Sequence, residues 1–145
     1  MQDFPHRYTV AALSRAEGEV ALESQGLAPL ASAAPAEFGG PGDRWSPETL
    51  LVGAVADCFT LGFRAIARAS KLEWVSLRCE VVGTLERVDR VTQFTGFIVR
   101  ASLQVSPGTN QERARGLLEK AEKTCLISNS LKADAQLEVS VEVAG

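Results

Sequence analysis

The chain has a single histidine, His6, in 145 residues. A Cys–His nucleophile pair would depend on that one residue near the start, which argues against it. Cysteine is also scarce: Cys58, Cys79 and Cys125 are the whole set. They stand far apart with no Cys-x-x-Cys pair, so neither a zinc site nor a thioredoxin-like motif is signalled. Basic clusters are missing. Lys71, Arg78, Arg87, Arg90 and Arg100 are scattered among acids, and the net charge of −3 leaves no footprint for nucleic acid or an anionic membrane. Met1 to Arg7 lacks the apolar core of a signal peptide, and no apolar run is expected to be long enough to span a membrane. The expectation is a cytoplasmic protein with reduced thiols and neither a membrane nor a nucleic-acid partner.

What the chain does have is one long apolar helix. Ser46 is placed to cap it, Pro47 suits its first position, and Glu48 sits in the first turn where the helix dipole favours a negative charge. Leu51, Val55, Cys58, Leu61, Ala65 and Ala69 recur at spacings of three and four. Val52, Ala56, Phe59, Phe63 and Ala67 form a second stripe beside them. A helix apolar on most of its circumference is a core helix, covered by other elements or by a second subunit. From Ser46 to Ala69 it would run about 36 Å. Asp57, Arg64 and Arg68 argue against a bilayer span.

The rest of the chain predicts strands and one further helix. Arg7 to Leu13 and Glu19 to Ser24 read as a hairpin around Ser14–Gly18. Gln25 to Arg44 is rich in proline and glycine and reads as a loop, with a short strand at Gly26 to Leu30; Trp45 is expected to pack at the helix entry. Trp74 to Glu86 and Gln93 to Ser106 alternate as two long strands. Thr109 is placed to cap a helix over Asn110 to Thr124, and Leu137 to Val143 is a last strand. The order β-β-(β)-α-β-β-α-β predicts one α+β domain over residues 1–145, an antiparallel sheet carrying two main helices.

Two of the cysteines, Cys58 and Cys125, lie on or just after the two helices, and helices on one sheet face are neighbours. Cys79 reads as a core residue on a strand face. A reactive thiolate in an apolar setting needs a nearby cation. Arg15 in the first turn, Arg44 before the helix and Arg64 within it are the candidates; Arg64 faces elsewhere. A half-buried arginine would in turn want a carboxylate, for which Glu48 is the obvious partner. Glu48 and Cys58 are ten residues apart on one helix, roughly 15 Å along its axis, so a site using both would take Glu48 from a second subunit.

These residues carry a resemblance. Trp45-Ser46-Pro47-Glu48-Thr49-Leu50-Leu51, followed by Ala54-Val55-Ala56-Asp57-Cys58-Phe59, resembles the helix signature of the OsmC/Ohr family. Ala121-Glu122-Lys123-Thr124-Cys125-Leu126-Ile127-Ser128-Asn129 is similar to that family's second cysteine motif, and Pro35 to Gly40 to the loop before the helix. The resemblance implies an intertwined homodimer with its site at the interface. It implies a thiol peroxidase that reduces organic hydroperoxides to alcohols without metal or bound cofactor. Cys58 would be the peroxidatic thiol and Cys125 the resolving one. Glu48 would hold an arginine, best matched by Arg15 with Arg44 as the alternative, over the reactive sulfur. A dithiol, of dihydrolipoyl type, would recycle the disulfide. Two residues depart from the pattern: Leu126 stands where proline is common, and Asp57 puts a carboxylate beside the thiol. Two other readings stay open, a redox sensor and a non-catalytic dimer that binds a small apolar ligand.

Overall fold

A computed structural model describes residues 2–145. Its elements are β1 (Ala11–Leu13), β2 (Val20–Glu23), β3 (Leu30–Ser32), a 3-10 turn (Ala36–Phe38), α1 (Pro47–Ala69), β4 (Trp74–Val88), β5 (Val91–Val105), α2 (Gln111–Lys123), α3 (Leu126–Asn129) and β6 (Ala135–Val143). The α+β order is the one expected, with two main helices. The chain divides into two compact units, one ending at Leu51 and one running Val52–Gly145. Each holds a three-stranded sheet.

In the first unit β1, β2 and β3 form an antiparallel meander, with Leu13 opposite Ala21 and Val20 opposite Ser32. β1 is shorter than the expected Arg7–Leu13, because Arg7 to Val10 find no strand to pair with, and Tyr8 and Val10 stay exposed. The loop after β3 folds back so that Ser32 bridges Trp45 and the Ala33 N–H donates to the Trp45 carbonyl at 2.9 Å. Only the backbone of Trp45 is engaged there. Its side chain is half exposed rather than packed at the helix entry. Ser46 caps α1 as expected: its Oγ accepts from the Thr49 N–H at 3.1 Å, and Thr49 Oγ1 accepts in return from the Ser46 N–H at 2.8 Å. This reciprocal box satisfies orphan donors at the helix start.

In the second unit β4 and β5 pair antiparallel along their whole length. Their connection is tighter than expected. Asp89 and Arg90 both take positive φ (50° and 68°), the geometry of a two-residue hairpin turn, so the strands extend to Val88 and from Val91. β6 pairs parallel to β5, not antiparallel. The helical connection through α2 carries the chain back to its starting end, and a strand entered that way runs in the same direction. Phe97, Val99, Ala101, Leu103 and Val105 are buried on one face of β5, and Ala114, Leu118 and Ala121 of α2 are buried with them. The other face is solvated and carries an ion ladder, in which Arg100 meets Glu80 at 3.3 Å and Glu138 at 3.1 Å. The cap of α2 is Asn110, whose side chain accepts from the Arg113 N–H. The Thr109 hydroxyl, the expected cap, donates instead to the Glu73 carbonyl at 3.1 Å.

Within this unit α1 lies over β4. Phe63 meets Trp74 edge-on with ring centroids 5.3 Å apart, and Val52 sits over Gly83, where a Cβ would stand 2.8 Å from its Cγ2. The buried stripe of α1 is Val55, Phe59, Phe63 and Ala67. Leu61, Ala65 and Ala69 on the other stripe are exposed. Leu77, Cys79 and Val81 of β4 turn inward, whereas Val75 is exposed, because a register shift between Trp74 and Ser76 breaks the alternation. By length and composition alone α1 is apolar enough to cross a membrane, which corrects the expectation that no run would be. Its fully buried phenylalanines are those of a core helix.

Candidate active site

Cys58 and Cys125 open into one cleft of about 480 Å³, lined by Ala54, Asp57, Leu61, Gly62, Thr124, Leu126 and Ile127 besides the two thiols. All of these belong to the second unit. Each position follows from local structure. On α1, Ala54, Cys58, Leu61 and Gly62 fall four before, at, three after and four after the cysteine, so they share its face. Cys125 precedes α3, at the joint where α2 ends and the chain turns. Both thiols are reduced, Cys58 partly accessible and Cys125 buried. A larger cleft of about 810 Å³ lies on the first unit between Arg7, Tyr8, Glu23 and Leu27. It contains no cysteine, so the thiol pair rather than size marks the site.

Burial pushes the Cys58 thiol above its ordinary value. The backbone N–H groups of Ile127 and Leu126, aimed at its sulfur, pull the other way, and the neighbouring Cys125 adds to the rise. No lysine or arginine lines the cleft. Cys79 sits on the inward face of β4, beside the Thr60 hydroxyl, and burial pushes its thiol up to about 11. Its half-buried place on the inward face of β4 is what bears out its reading as a core residue. Among the described residues no group of three or more His, Cys, Asp or Glu side chains is arranged to hold a metal ion.

The other candidate residues lie apart from this cleft's lining. Glu48 is half-buried, and its Oε1 is buried with no hydrogen-bond partner. Arg44 is occupied: its Nε donates to Glu19 Oε2 at 2.7 Å and its Nη1 lies 3.2 Å from Asp43 Oδ2. These two carboxylates, Glu19 first, hold its guanidinium above the ordinary value. Arg15 is exposed in the turn after β1 and makes no ion pair among the described residues. Arg64 is exposed on α1.

From sequence, Leu51, Val55, Phe59 and Phe63, with Phe38 or Trp45, are expected to line an apolar pocket for the organic group, and the structure corrects this. Val55, Phe59 and Phe63 are fully buried core, because their stripe turns toward β4 while Cys58 faces away from it. Leu51 does not line the cleft, and Phe38 and Trp45 are more than half exposed. Sequence reasoning missed Ala54 and Gly62, which the helical period around Cys58 would have given. It also missed the Leu126 and Ile127 N–H groups, for which sequence carries no signal, since any residue supplies a backbone donor.

A split α+β chain with a thiol pair beside its long core helix defines the class, and the comparisons name it. The profile of the OsmC-like protein family matches residues 40–140, and the chain belongs to that family. It is 32% identical over 116 residues to the uncharacterised protein YmaD of Bacillus subtilis, covering 77% of each chain. Among solved structures it superimposes on an OsmC-like protein of unknown function from Vibrio cholerae with a TM-score of 0.85 and 18% identity, over 93% of this chain and 99% of that one. An organic hydroperoxide resistance protein OsmC from Legionella pneumophila matches with a TM-score of 0.75 and 27% identity, over 97% of this chain and 100% of that one.

Proposed function

We propose that this protein is a thiol peroxidase that reduces organic hydroperoxides, with Cys58 as the attacking thiol and Cys125 as the resolving one. The observation that carries the reading is the placement of two reduced cysteines on one largely apolar cleft. The relative from Legionella that bears the name of an organic hydroperoxide resistance protein supports it. The Cys58 thiolate attacks the outer oxygen of R–O–OH. The O–O bond breaks, the sulfur becomes a sulfenic acid, and the alkoxide leaves as ROH after taking a proton. The Cys125 thiol then attacks the sulfenic sulfur, a disulfide forms and water leaves. A dithiol, which becomes its own disulfide, returns both cysteines to thiols. Apolar lining from Ala54, Leu61, Leu126 and Ile127 suits an alkyl or aryl group.

The burial that raises the Cys58 thiol calls for a cation from outside the cleft's own lining. We assign that role to Arg15, held by Glu48, in a homodimer. Three observations support this. The buried Glu48 Oε1 lacks a donor, and leaving a carboxylate oxygen so is costly. Arg44 already has two carboxylates. The exposed apolar stripe through Leu61, Ala65 and Ala69 is surface that a second copy would cover.

The test is a count of free thiols in the reduced protein before and after cumene hydroperoxide. Loss of two thiols per chain, absent in Cys58→Ser and reversed by a dithiol, is the expected result. The raised Cys58 thiol favours a second reading, a dimer that binds a small apolar ligand without turnover. No thiol loss at a modest excess of peroxide would select it.

A further inference from the structure

The cleft holds one acidic side chain, and the peroxidase cycle gives it no task. Asp57 lines the cleft beside Cys58 and is exposed. It makes no ion pair among the described residues. Every other lining group is apolar or uncharged. Within one subunit Leu61 and Leu126 are more than half exposed and form the mouth of the cleft together with Asp57, while Cys125 is buried at its inner side; in the proposed homodimer the second copy faces this mouth. A substrate that reaches Cys58 with its peroxide end lies with its organic part among these three side chains.

We infer that Asp57 is a specificity residue: its carboxylate makes the cleft favour neutral organic hydroperoxides over hydroperoxides that carry a carboxylate of their own. The inference rests on the peroxidase reading and names the substrate class within it. In a cleft of this size a substrate anion cannot stay far from Asp57, and like charges at such range repel appreciably even with water between them. The arginine assigned above does not cancel this. In the proposed site its positive charge faces the Cys58 thiolate and Glu48, whereas Asp57 makes no ion pair among the described residues. Asp57 lies at the mouth of the cleft and not at its buried inner side, so its effect is moderate and sensitive to salt, with a screening length of about 10 Å at 0.1 M. A preference of roughly three- to tenfold at low salt is expected.

The experiment compares cumene hydroperoxide bearing a para carboxylate with the methyl ester of the same compound, which differs in little but charge. The initial rate of thiol loss is measured for the reduced protein, for Asp57→Asn and for Asp57→Glu. The acid-to-ester rate ratio is taken within each variant, so any change in the Cys58 thiol itself cancels. In the wild-type protein the ratio should lie well below one and rise toward one at 0.5 M salt. Asp57→Asn should bring it near one at low salt, and Asp57→Glu should keep it low. Ester consumption with a wild-type ratio near one, or a ratio unmoved by Asp57→Asn, overturns this inference and leaves the peroxidase reading standing. If neither compound is consumed by the wild-type protein, the peroxidase reading falls and this inference falls with it.

Discussion

The Cys58 thiol faces the backbone N–H of Ile127, two residues beyond Cys125. The joint that places the second cysteine thus also supplies a donor to the first. This coupling makes the two thiols unequal. Cys58 is partly accessible and receives the donors, whereas Cys125 is buried. In the proposed cycle Cys58 meets the peroxide first. Cys125→Ser should therefore lose one thiol to the first equivalent of hydroperoxide, form no intramolecular disulfide, and pass to the sulfinic acid with excess peroxide. Intact mass and thiol counting check this. Retention of the Cys58 thiol in that variant, or formation of a Cys58–Cys79 disulfide at the normal rate, would remove Cys125 from the resolving role.

The assigned arginine predicts a pH signature. A cation beside a thiol favours the thiolate and lowers its titration. Arg15→Ala should therefore move the rise of the oxidation rate toward more alkaline pH, with a large loss at pH 7 and recovery of much of the rate above pH 9. Arg44→Ala should leave that profile in place. It breaks an exposed, solvent-screened pair with Glu19 and should change stability little. Stopped-flow rates from pH 6 to 10 distinguish the two, and the opposite result would transfer the role to Arg44. Glu48→Ala is expected to act through Arg15, so the double variant should cost less than the sum of the single ones.

The legible parts of the sequence were those written as local pattern. The Ser46 cap and the alternation from Phe97 to Val105 follow from spacing, and the approach of Cys58 and Cys125 from their place on or just after neighbouring helices; the Thr49 half of the cap came only with the structure. The direction of β6 did not, because it depends on where α2 returns the chain and not on any residue in Ala135–Val143. The inward and outward faces of α1 were not separable either. Both stripes are apolar, and only the position of Gly83 under Val52 and of Trp74 beside Phe63 fixes which one meets the sheet. That ambiguity is why Val55, Phe59 and Phe63 read as lining of the cleft when they are core.

Cys79 offers a check on the electrostatics independent of catalysis. Its ordinary titration lies near 9, and burial raises it to about 11 in the folded chain. Between those values the unfolded chain has lost the proton while the folded one keeps it. Stability attributable to this group is thus complete below about pH 9 and declines as pH rises toward 11. Cys79→Ala should unfold at lower denaturant at pH 7, since it removes buried sulfur, yet lose less stability than the wild type between pH 9 and 11. Urea midpoints at several pH values measure it. Peroxide-driven thiol loss at Cys58 and Cys125 should persist in this variant, because a protonated thiol on the inward face of β4 takes no part in the cycle.

The close approach of α1 to β4 gives the last prediction. A Cβ at Gly83 would stand 2.8 Å from Val52 Cγ2 and 3.1 Å from ring atoms of both Phe94 and Phe97. The two rings are stacked with centroids 5.3 Å apart, and Phe97 is buried, so neither yields easily. Gly83→Ala should destabilise the protein by about 1–3 kcal/mol through overpacking, although a strand otherwise favours alanine over glycine. Val52→Ala removes the nearest of the three obstacles. Combined with Gly83→Ala it should recover part of the loss, giving a coupling of about 0.5 kcal/mol or more in a double-mutant cycle of urea unfolding. Additive losses would mean that Val52 is not the atom group that excludes a side chain at Gly83. The same cycle reports on the site, because Val52 and Cys58 ride on one helix: if the helix is lifted from β4, Cys58 moves relative to the Ile127 N–H, and Gly83→Ala should slow thiol oxidation as well as lower stability.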